Sequence, residues 1–415
     1  MHVGVDVASI DRVAAVVSRS PRFVARVYTD AEQRDCAGKA MRWATTWAAK
    51  EAVRKLMAAA GSAMPAFRAV EVVRSDTYGP RVRIAGRDTD IALSLSHESG
   101  LGVAVAAMAP GDVATALDTV PVDLVLPARP DDAHKGTFGR VLVIAGARGY
   151  TGAPQLAALG AARSGAGLVT VCVPESIYAV VAARCLEVMP APLPDRGVGV
   201  LTSEALETLE ERLATADAVV LGPGVGRAYE TAVVVARLIE RLPCPAVVDA
   251  DALNIAAAQP VDWRSSGQPV VLTPHPAEMG RLAGVETAVV QAERERTARD
   301  YAQAHGVTVV LKGAQTVIAA PDGRIHTDSH RVVALASGGT GDVLAGVIGG
   351  LLAQGLDPVA AAIAGVNVHA IAGMRVQAKR GRAGGLASDV LDELPQAQEQ
   401  IRRALERRGG ERPSR

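Results

Sequence analysis

The sequence predicts a small α+β domain followed by a larger α/β domain with a parallel sheet. At 415 residues the chain is longer than one hydrophobic core usually supports, so more than one domain is expected. Four prolines between residues 110 and 130, with only a short apolar run, are typical of a connection between domains. The strand and helix patterns also differ on the two sides of this connection. The predicted parts are a first domain (1–108), a linker (109–126), a second domain (127–395) and a tail (396–415).

The first domain combines local patterns of both kinds. HVGVDV, residues 2–7, alternates valine with other residues, which is the period of a strand. Residues 40–59 are rich in alanine and predict a helix. IALSLSH and LGVAVAAM flank Glu98-Ser99-Gly100 and predict a hairpin. This mixture predicts a small α+β unit.

The second domain alternates short apolar runs with helical stretches. Runs without polar alternation predict parallel strands that helices cover on both faces, a three-layer α/β architecture. These runs are RVLVIAG, GLVTVCV, AVVLGPG, PAVVDAD, VVLTPHP and VTVVLKG. Ligands of such sheets bind at the carboxyl ends of the strands, where this sequence places Gly, Asp, His and Lys. The tail is rich in arginine, and we expect it to be disordered.

Composition narrows the class of protein. Lys+Arg and Asp+Glu both number 44, so the net charge of +0 predicts no nucleic-acid partner. We find no apolar span of 18 residues and no signal-peptide pattern, which predicts a soluble, cytoplasmic protein with no membrane partner. The four cysteines have no CxxC spacing and suit reduced thiols better than disulfides or zinc ligands.

One carboxylate in the second domain stands out. In ALASGGTGDVLAGVIGG, residues 334–350, Asp342 follows Gly338, Gly339 and Gly341 and begins a run with helical apolar spacing. A helix N-terminus has free N–H groups and the positive end of the helix dipole, so it can bind an anion such as phosphate. The alternative is that Asp342 only caps the helix.

Three other strand ends carry residues of the same kind. LKGAQT ends a strand with Lys312, GPGVG (222–226) ends another with a glycine turn, and TPHPAEM places His275 between two prolines. Taken singly, the lysine is compatible with a solvated side chain and the histidine with a structural role. Their common position at strand ends predicts a site.

Residues 127–395 resemble the ribokinase-like NAD(P)H-hydrate dehydratase family, motif by motif. The resemblance extends over HKGTFGRVLVIAG, GYTGAPQLAALGAARSGAGLV, LGPGVG, DADALN, LTPHPAEM, LKGAQT and SGGTGDVLAGVIGGLLAQGLDP. It implies an enzyme that uses ADP to dehydrate (6S)-hydrated NADH or NADPH back to the intact coenzyme. A small-molecule kinase on the same fold is the competing interpretation, and it would stop at a phosphorylated product.

The resemblance also implies roles for individual residues. Asp342 is implied to be the catalytic base. The hydrated NAD(P)H is implied to contact Ala153, Gly224, Gly226, His275 and Asp342. ADP is implied to contact Lys312, Gly313, Ala314, Gln315, Thr316 and Gly341.

The predicted helix of the first domain carries a glutamate in an apolar stripe. Glu51 shares one side of the helix with Ala48, Ala52 and Lys55 at i, i+3 and i+4 spacing. It could form an ion pair with Lys55 at the edge of the stripe. Likewise, Asp6 could be a polar residue on the solvated face of its strand, and His97 could cap the hairpin.

Residues 1–108 look like holo-acyl-carrier-protein synthase through GVDVASIDRV, RWATTWAAKEAVRK, YGPRVRI and LSLSHESGLGVAVA. That family transfers phosphopantetheine from coenzyme A to a serine of an acyl carrier protein. The resemblance implies Asp6 and Glu51 as Mg²⁺ ligands, with Glu51 also catalytic, and a homo-oligomer. It implies that coenzyme A contacts Lys50, Lys55, Ser96 and His97.

The first domain departs from this family in one turn. The family usually has GTG after the KEA helix, whereas this chain has Gly61-Ser62-Ala63. The loss of the second glycine removes backbone freedom at that turn. The alternative is therefore a dehydratase whose first domain is a non-catalytic assembly module.

Overall fold

The chain folds into two compact units, Met1–Thr119 and Val120–Arg415. The computed structural model describes residues 2–60, 64–74, 79–89, 91–108, 121 and 124–410. The turn at 61–63, most of the predicted linker and residues 411–415 lie outside the described residues. Leu124 and Leu126, predicted to belong to the linker, are instead buried in the core of the second unit.

The first unit has the predicted α+β composition. Its strands are β1 (His2–Ser9), β2 (Val70–Val73), β3 (Arg81–Ile84), β4 (Arg87–Asp88), β5 (Ala92–Glu98) and β6 (Leu101–Met108). Its helices are α1 (Ile10–Arg19), α2 (Pro21–Val27), α3 (Asp30–Cys36) and α4 (Ala40–Ala59), with a 3₁₀ turn at Phe67–Ala69. Two antiparallel sheets form, in the orders β1-β6-β5 and β2-β3-β4. The predicted first strand, long helix and hairpin are confirmed.

Strand β1 lies directly on helix α4. A Cβ at Gly4 would lie 1.9 Å from the carbonyl oxygen of Ala52, so only glycine permits this approach. Because side chains of a strand alternate between faces, Asp6 and the buried Ala8 share the helix side with Gly4. The interpretation of Asp6 as a residue of the solvated face is therefore wrong. The exposed face carries the valines of β1 instead.

The second unit is built on one nine-stranded sheet in the order β15-β14-β13-β12-β11-β10-β7-β8-β9. Its strands are β7 (Arg140–Ile144), β8 (Leu168–Pro174), β9 (Met189–Leu193), β10 (Ala218–Leu221), β11 (Ala246–Val248), β12 (Val270–Leu272), β13 (Thr308–Leu311), β14 (Val317–Ala319) and β15 (Ile325–Thr327). Strands β7 to β13 pair in parallel as predicted, whereas β14 and β15 are antiparallel. Five residues join β13 to β14, too few for the crossover that a parallel neighbour requires.

Helices cover both faces of this sheet. They are α5 (Gly152–Arg163), α6 (Glu175–Ala182), α7 (Ala205–Leu213), α8 (Tyr229–Ile239), α9 (Asp251–Ala258), α10 (Pro276–Ala283), α11 (Thr287–Ala292), α12 (Arg294–His305), α13 (Thr340–Ala353), α14 (Pro358–Arg380) and α15 (Ala387–Gly410), with 3₁₀ turns at Lys135–Phe138 and Val333–Leu335. Alternate residues of β7 enter opposite cores, Val141 and Val143 on one face and Leu142 and Ile144 on the other. The predicted three-layer architecture is confirmed.

Helices α13 and α14 form the centre of one outer layer. A Cβ at Gly346 of α13 would lie 2.0 Å from the carbonyl oxygen of Ala157, so α13 packs against α5 almost backbone to backbone. Contrary to the prediction from composition, α14 is long and apolar enough to cross a membrane. However, 83% of its apolar window is buried inside the unit, as in a core helix. Helix α13 thus packs against both α5 and α14.

The tail differs from its prediction. Helix α15 continues to Gly410, so residues 396–410 are helical where disorder was expected. The reason is an apolar stripe: Leu394, Ala397 and Ile401 recur at helical spacing and are buried in the core. In addition, Arg402 Nη1 donates to the carbonyl oxygen of Pro127 at 2.8 Å.

Candidate active sites

The polar residues after three parallel strands of the second unit, β11, β12 and β13, meet near the start of α13. Lys312, which follows β13, places its Nζ 2.7 Å from Oδ1 of Asp249, which follows β11. A Cβ on Gly341 of α13 would lie 3.3 Å from the same Nζ. The predicted convergence of strand ends is therefore present, and its centre is the ammonium of Lys312.

Lys312 is held by carboxylates. Asp249 Oδ1, besides pairing with Lys312, accepts a hydrogen bond from Thr273 Oγ1 at 2.7 Å. Burial of Lys312 favours its neutral form, but Asp249, Glu278 and Asp342 outweigh that effect and raise the pKa of Lys312. The side chain is only 20% exposed. Lys312 is thus a fixed positive charge and not a solvated surface lysine.

Asp342 lies in the first turn of α13 but does not cap it. The N-cap is Gly339, and no side chain makes a capping hydrogen bond there. Burial, and after it the charge of Asp249, raises the pKa of Asp342 to about 7, while Lys312 opposes the rise. A carboxylate whose pKa is near neutral is suited to accept and release a proton at physiological pH.

His275 has the structural role that the sequence left open. It caps α10: its Nδ1 accepts from the N–H groups of Ala277 (3.1 Å) and Glu278 (3.3 Å). In return, one carboxylate oxygen of Glu278 accepts a hydrogen bond from the backbone N–H of His275 at 2.8 Å. The other carboxylate oxygen lies 3.3 Å from His275 Nε2. Since Nδ1 is an acceptor, the neutral ring carries its proton on Nε2. Burial, with Lys312 and Arg281, lowers the pKa of His275.

Glu278 is a site residue to which the sequence analysis assigned no role. It is buried, and this burial raises its pKa to about 7. Its position three residues after His275 in TPHPAEM matches the third residue of a capping box, a signal that could have identified it. The site therefore contains two carboxyl groups that titrate near neutral pH.

The residues predicted to contact the hydrated coenzyme lie at the neighbouring strand ends. A Cβ on Gly224 would lie 3.0 Å from the Cβ of Ala153, so the GPGVG and GYTGAP loops touch. The Gly226 N–H donates to Asp251 Oδ2 at 3.1 Å. Ala250 has φ +52°, a sparsely populated conformation for alanine, between Asp249 and Asp251. This turn directs one carboxylate to Lys312 and the other to Gly226.

A cavity of about 410 Å³ opens beside Lys312. Five of the six residues predicted to contact ADP line it: Lys312, Gly313, Ala314, Thr316 and Gly341. Gln315 is not among the lining residues and accepts a hydrogen bond from Arg331 Nη2 at 2.8 Å, so its contact with ADP stays a prediction. The volume is in the range of small-molecule sites.

Arg294 organises the KGAQT loop, and the sequence analysis missed it. Its Nη2 donates to the carbonyl oxygens of Leu311 (2.9 Å), Lys312 (3.3 Å) and Gln315 (3.1 Å). The guanidinium thus ties both ends of the loop together. No local pattern marks this role, because Arg294 begins a separate helix and its partners are carbonyl groups.

In the first unit, Asp6, Glu51 and Lys55 come together. Lys55 Nζ lies 2.7 Å from Asp6 Oδ1, and this bond raises the pKa of Lys55, with a smaller contribution from Glu51. The direct ion pair of Glu51 is with Arg54, at 3.5 Å, and not with Lys55 as the alternative proposed. Ser96 and His97 are exposed on β5, which is separated from β1 by β6.

The predicted contact of Lys50 with coenzyme A is wrong, because the side chain is buried. Its side chain is 0% exposed and pairs with Glu32 at 2.7 Å. Its Nζ also donates to the carbonyl oxygens of Phe67, at 3.0 Å, and Val70. All three partners lie inside the unit, so Lys50 cannot present its ammonium to a phosphate. It connects α4 to α3 and β2.

The carboxylates of Asp6 and Glu51 suit Mg²⁺. Asp6 pairs directly with the ammonium of Lys55, and the charge of Glu51 adds to the rise in the pKa of Lys55, so both carboxylates lie in the neighbourhood of this ammonium. Mg²⁺ usually binds through one or two carboxylates and takes its other ligands from phosphate and water. Within the described residues, no group of three or more His, Cys, Asp or Glu side chains could hold a metal by itself.

An arginine-rich groove forms a second feature of the first unit. It encloses about 620 Å³, and its lining includes Arg22, Arg26, Arg54, Phe23, Trp47 and Phe67. Trp47 and Phe67 stack at 4.8 Å, and the Arg54 guanidinium lies 4.0 Å from the Phe67 ring centroid. Rigid aromatic rings beside arginines suit an acidic partner.

Comparison with solved structures identifies the fold of the second unit. A ribokinase-like superfamily protein from Enterococcus faecalis is 28% identical, with a TM-score of 0.57 over 66% of this chain and 92% of that structure. The second unit therefore has the ribokinase-like fold, as predicted. The ADP/ATP-dependent NAD(P)H-hydrate dehydratase of Bacillus subtilis, crystallised with ATP and Mg²⁺, is 31% identical, with a TM-score of 0.58 over 66% and 94%.

The sequence comparisons identify the family. The model of NAD(P)H-hydrate dehydratase matches residues 141–396, more than half of the chain, which therefore belongs to that family. The ADP-dependent (S)-NAD(P)H-hydrate dehydratase of Xanthomonas campestris is 36% identical over 65% of this chain and 91% of its own length. The bifunctional NAD(P)H-hydrate repair enzyme Nnr of Moorella thermoacetica is 44% identical over 65% of this chain.

The matches cover only part of the Moorella relative and only part of this chain. The match spans about half the length, 51%, of the Moorella relative. Residues 2–116 match a different model, that of the 4'-phosphopantetheinyl transferase superfamily. The predicted resemblance of each unit to its family is thus confirmed.

Proposed function

We propose that the second unit uses ADP to dehydrate (6S)-hydrated NADH or NADPH and so restores the coenzyme. The observation that carries this proposal is Asp342: a carboxyl group with a pKa of about 7 in the first turn of α13, directly after Gly341, which together with Lys312 lines a cavity of nucleotide size. The names of the relatives from Xanthomonas and Bacillus support the substrate and the nucleotide.

The hydrate has a hydroxyl group on its nicotinamide ring, and hydroxide is a poor leaving group. Asp342 accepts the hydroxyl proton while that oxygen attacks the terminal phosphoryl group of ADP, and AMP leaves. The lone pair of the ring nitrogen then expels phosphate, and a proton leaves the adjacent ring carbon. The products are the dihydronicotinamide, AMP and phosphate, so all atoms balance.

Other residues of the site position the reactants. Lys312 and the N–H groups at the start of α13 would neutralise the transferred phosphoryl group. The loops of Ala153, Gly224 and Gly226 would hold the hydrated coenzyme, with the ring of His275 at their edge. Its Nδ1 accepts the hydrogen bonds of the cap and its Nε2 lies 3.3 Å from Glu278 Oε1, so His275 would shape this edge of the site and not serve as a base.

The test is to incubate the full chain with hydrated NADH and ADP and to follow the near-ultraviolet absorbance of the dihydronicotinamide. We expect recovery of NADH with stoichiometric release of AMP and phosphate. Accumulation of a phosphorylated hydrate, or phosphorylation of an unrelated alcohol without dehydration, would instead establish the kinase alternative.

We further propose that the first unit transfers phosphopantetheine from coenzyme A to an acyl carrier protein. Asp6 and Glu51 would hold Mg²⁺, which when bound would polarise the pyrophosphate of coenzyme A. Lys55, whose side chain is 54% exposed, would turn to a phosphate once Mg²⁺ replaces it. Glu51 would accept the proton of the serine while its oxygen attacks the phosphorus that bears pantetheine, the P–O bond of the pyrophosphate breaks, and adenosine 3',5'-bisphosphate leaves. Ser96 and His97 would contact coenzyme A from β5.

Two surfaces of the first unit are suited to bind the proposed partners, a carrier protein and a second copy of the chain. The arginine-rich groove offers positive charge and rigid aromatic rings, which would suit a carrier protein with an acidic surface. On the opposite face of β1 from α4, Val3, Val5 and Val7 are 43%, 48% and 53% exposed. Such an apolar sheet face is a subunit interface in many proteins, and it supports the proposed homo-oligomer. A non-catalytic assembly module would use this face alone.

The intact mass of the carrier protein distinguishes a catalytic first unit from a non-catalytic assembly module. The full chain is incubated with coenzyme A, Mg²⁺ and an apo acyl carrier protein, and we expect the carrier to gain one phosphopantetheine. Glu51→Gln should abolish the gain, because it removes one Mg²⁺ ligand and the base together. Glu98→Gln, the same change on the exposed hairpin, is the control and should leave it intact. No gain with any of several carriers would favour the assembly module.

A further inference from the structure

One face of helix α14 contacts a wall of the nucleotide cavity. His369, Gly373 and Gln377 follow one another at intervals of four residues, so they lie on the same face of the helix. The wall is the segment 332–341, which leads into the first turn of α13 and ends directly before Asp342. Its residues that line the cavity are Val332, Val333, Leu335, Ala336, Thr340 and Gly341. The contacts with α14 therefore determine where this wall lies.

Leu335 of the wall packs directly on the backbone of Gly373. A Cβ at position 373 would lie 2.6 Å from both Cγ and Cδ2 of Leu335, which lines the cavity. The backbone of Gly373 is helical, so the glycine is not needed for an unusual conformation. Its effect is to leave room for Leu335 against the helix. A methyl group at this position would displace Leu335.

A displacement of Leu335 would also reach the start of α13. The carbonyl oxygen of Leu335 accepts a hydrogen bond from Thr340 Oγ1 at 2.8 Å. Thr340 is followed by Gly341, and a Cβ on Gly341 would lie 3.3 Å from Lys312 Nζ. The wall thus connects the contact at Gly373 to the end of the cavity that carries Lys312.

His369 holds that end of the wall. Its side chain is nearly buried, and burial lowers the pKa of His369 to about 4, so the ring is neutral. A hydrogen bond with the Thr340 backbone opposes this shift, so the ring donates to the carbonyl oxygen. Gln377 Oε1 accepts a hydrogen bond from the Ala334 N–H at 3.4 Å. One face of α14 therefore contacts the wall at both of its ends.

We propose that Gly373 and His369 are positioning residues of the nucleotide site and that α14 sets the width of the cavity through them. The missing side chain at position 373 lets Leu335 lie back against the helix, and His369 fixes the carbonyl group that precedes Gly341. This inference rests on the proposed nucleotide-dependent function and assigns two further residues to it. Neither role requires a contact with the nucleotide.

The test is calorimetric binding of ADP to the full chain, which does not require turnover. Gly373→Ala should weaken ADP binding about tenfold, because the methyl group pushes Leu335 toward the cavity. Gly365→Ala is the matched control on the same helix. A Cβ there would lie 2.6 Å from Ile348 Cγ1, but Ile348 belongs to the core and does not line the cavity. This variant should lower the Tm to a similar extent and leave the affinity for ADP unchanged.

Removal of the displaced side chain separates a positioning role from a general loss of stability. In a Leu335→Ala background the methyl group of Gly373→Ala has nothing to displace, so adding it should not weaken ADP binding further. A purely structural effect of Gly373→Ala would persist in the double variant and would contradict the inference. If Gly373→Ala alone does not fold, the comparison of the double variant with Leu335→Ala still decides.

The role of His369 has its own pair of variants. His369→Asn keeps an N–H donor near the position of Nδ1 and should bind ADP like the unsubstituted chain. His369→Leu removes the donor and should weaken ADP binding about tenfold, because the Thr340 carbonyl loses its partner. Equal affinities in the two variants would show that the hydrogen bond does not position the wall.

Two results separate this inference from the proposed function. If Gly373→Ala binds ADP as tightly as the unsubstituted chain, or if Gly365→Ala weakens binding equally, the inference alone is overturned. Failure of the unsubstituted chain to bind ADP would overturn the proposed function as well.

Discussion

Asp342→Asn is expected to abolish the proposed dehydration while ADP still binds. The amide is nearly the same size as the carboxylate but cannot accept the hydroxyl proton, so kcat should fall by a factor of about 10²–10⁴. ADP affinity, measured by calorimetry, should change little, since Lys312 and the cavity remain. Asp322→Asn, the same change on an exposed turn, is the control and should keep full activity.

The pH dependence provides an independent check of Asp342. Because the base must be ionised and its pKa is raised to about 7, activity should rise with pH through that value and level off above it. The charge of Glu278 contributes to this rise in pKa, so Glu278→Gln should move the rising limb to lower pH. A rising limb near pH 4, the ordinary value of an aspartate, would contradict the assignment.

Asp342→Asn should also change the stability of the second unit, in a direction that depends on pH. The folded-state pKa of Asp342 lies above its unfolded value, so the native state is favoured while the carboxyl is protonated. That stability is present below the unfolded pKa and is lost as pH rises through about 7. Asp342→Asn should therefore raise the Tm of the second unit at about pH 8 and leave it nearly unchanged at about pH 4.

Lys50→Met is expected to produce the largest loss of stability in the first unit. It would leave the buried carboxylate of Glu32 without its cation and would remove one donor from each of the carbonyl oxygens of Phe67 and Val70. Removal of one partner from a buried ion pair costs about 3–5 kcal/mol in the free energy of unfolding. Urea unfolding of the full chain in a Trp263→Phe background, in which Trp43 and Trp47 are the remaining tryptophans, measures this loss by fluorescence.

A matched control lies on the same helix. Lys55→Met removes an exposed lysine whose pair with Asp6 should contribute at most about 1 kcal/mol. The double variant Lys50→Met with Glu32→Gln should recover part of the loss, because it removes the uncompensated charge. If Lys50→Met costs no more than Lys55→Met, the internal role of Lys50 is wrong.

The internal role of Lys50 could not be predicted from the sequence. The stripe of Ala44, Ala48 and Ala52 indicated one buried face of α4, and that face does pack on β1. However, α4 also packs against α3 and β2, which buries a second face containing Lys50 and Val53. Helical periodicity identifies an apolar face, but a polar residue on a second buried face looks like a surface residue. Only the partner Glu32, 18 residues away, reveals its role.

In the second unit, the elements and most of the site followed from local pattern. Apolar strands and helical spacing determined the three-layer sheet, and the residues after each strand predicted the location of the site, because strand ends converge whatever the details of packing. Glu278 and Arg294 were not identified. The capping-box spacing after His275 was an available local signal for Glu278, whereas the role of Arg294 depends on carbonyl groups of a separate loop and leaves none.

The sequence by itself determined the two domains, the periodicity of their main elements and the chemical types available at the strand ends. Only the tertiary structure decided which charges are paired and which are buried. That decision controls function, because the pKa of Asp342 depends on its burial and on Asp249 and Glu278, residues far away along the chain. Electrostatic free energies depend on distance and solvation in the folded protein, and a linear pattern specifies neither.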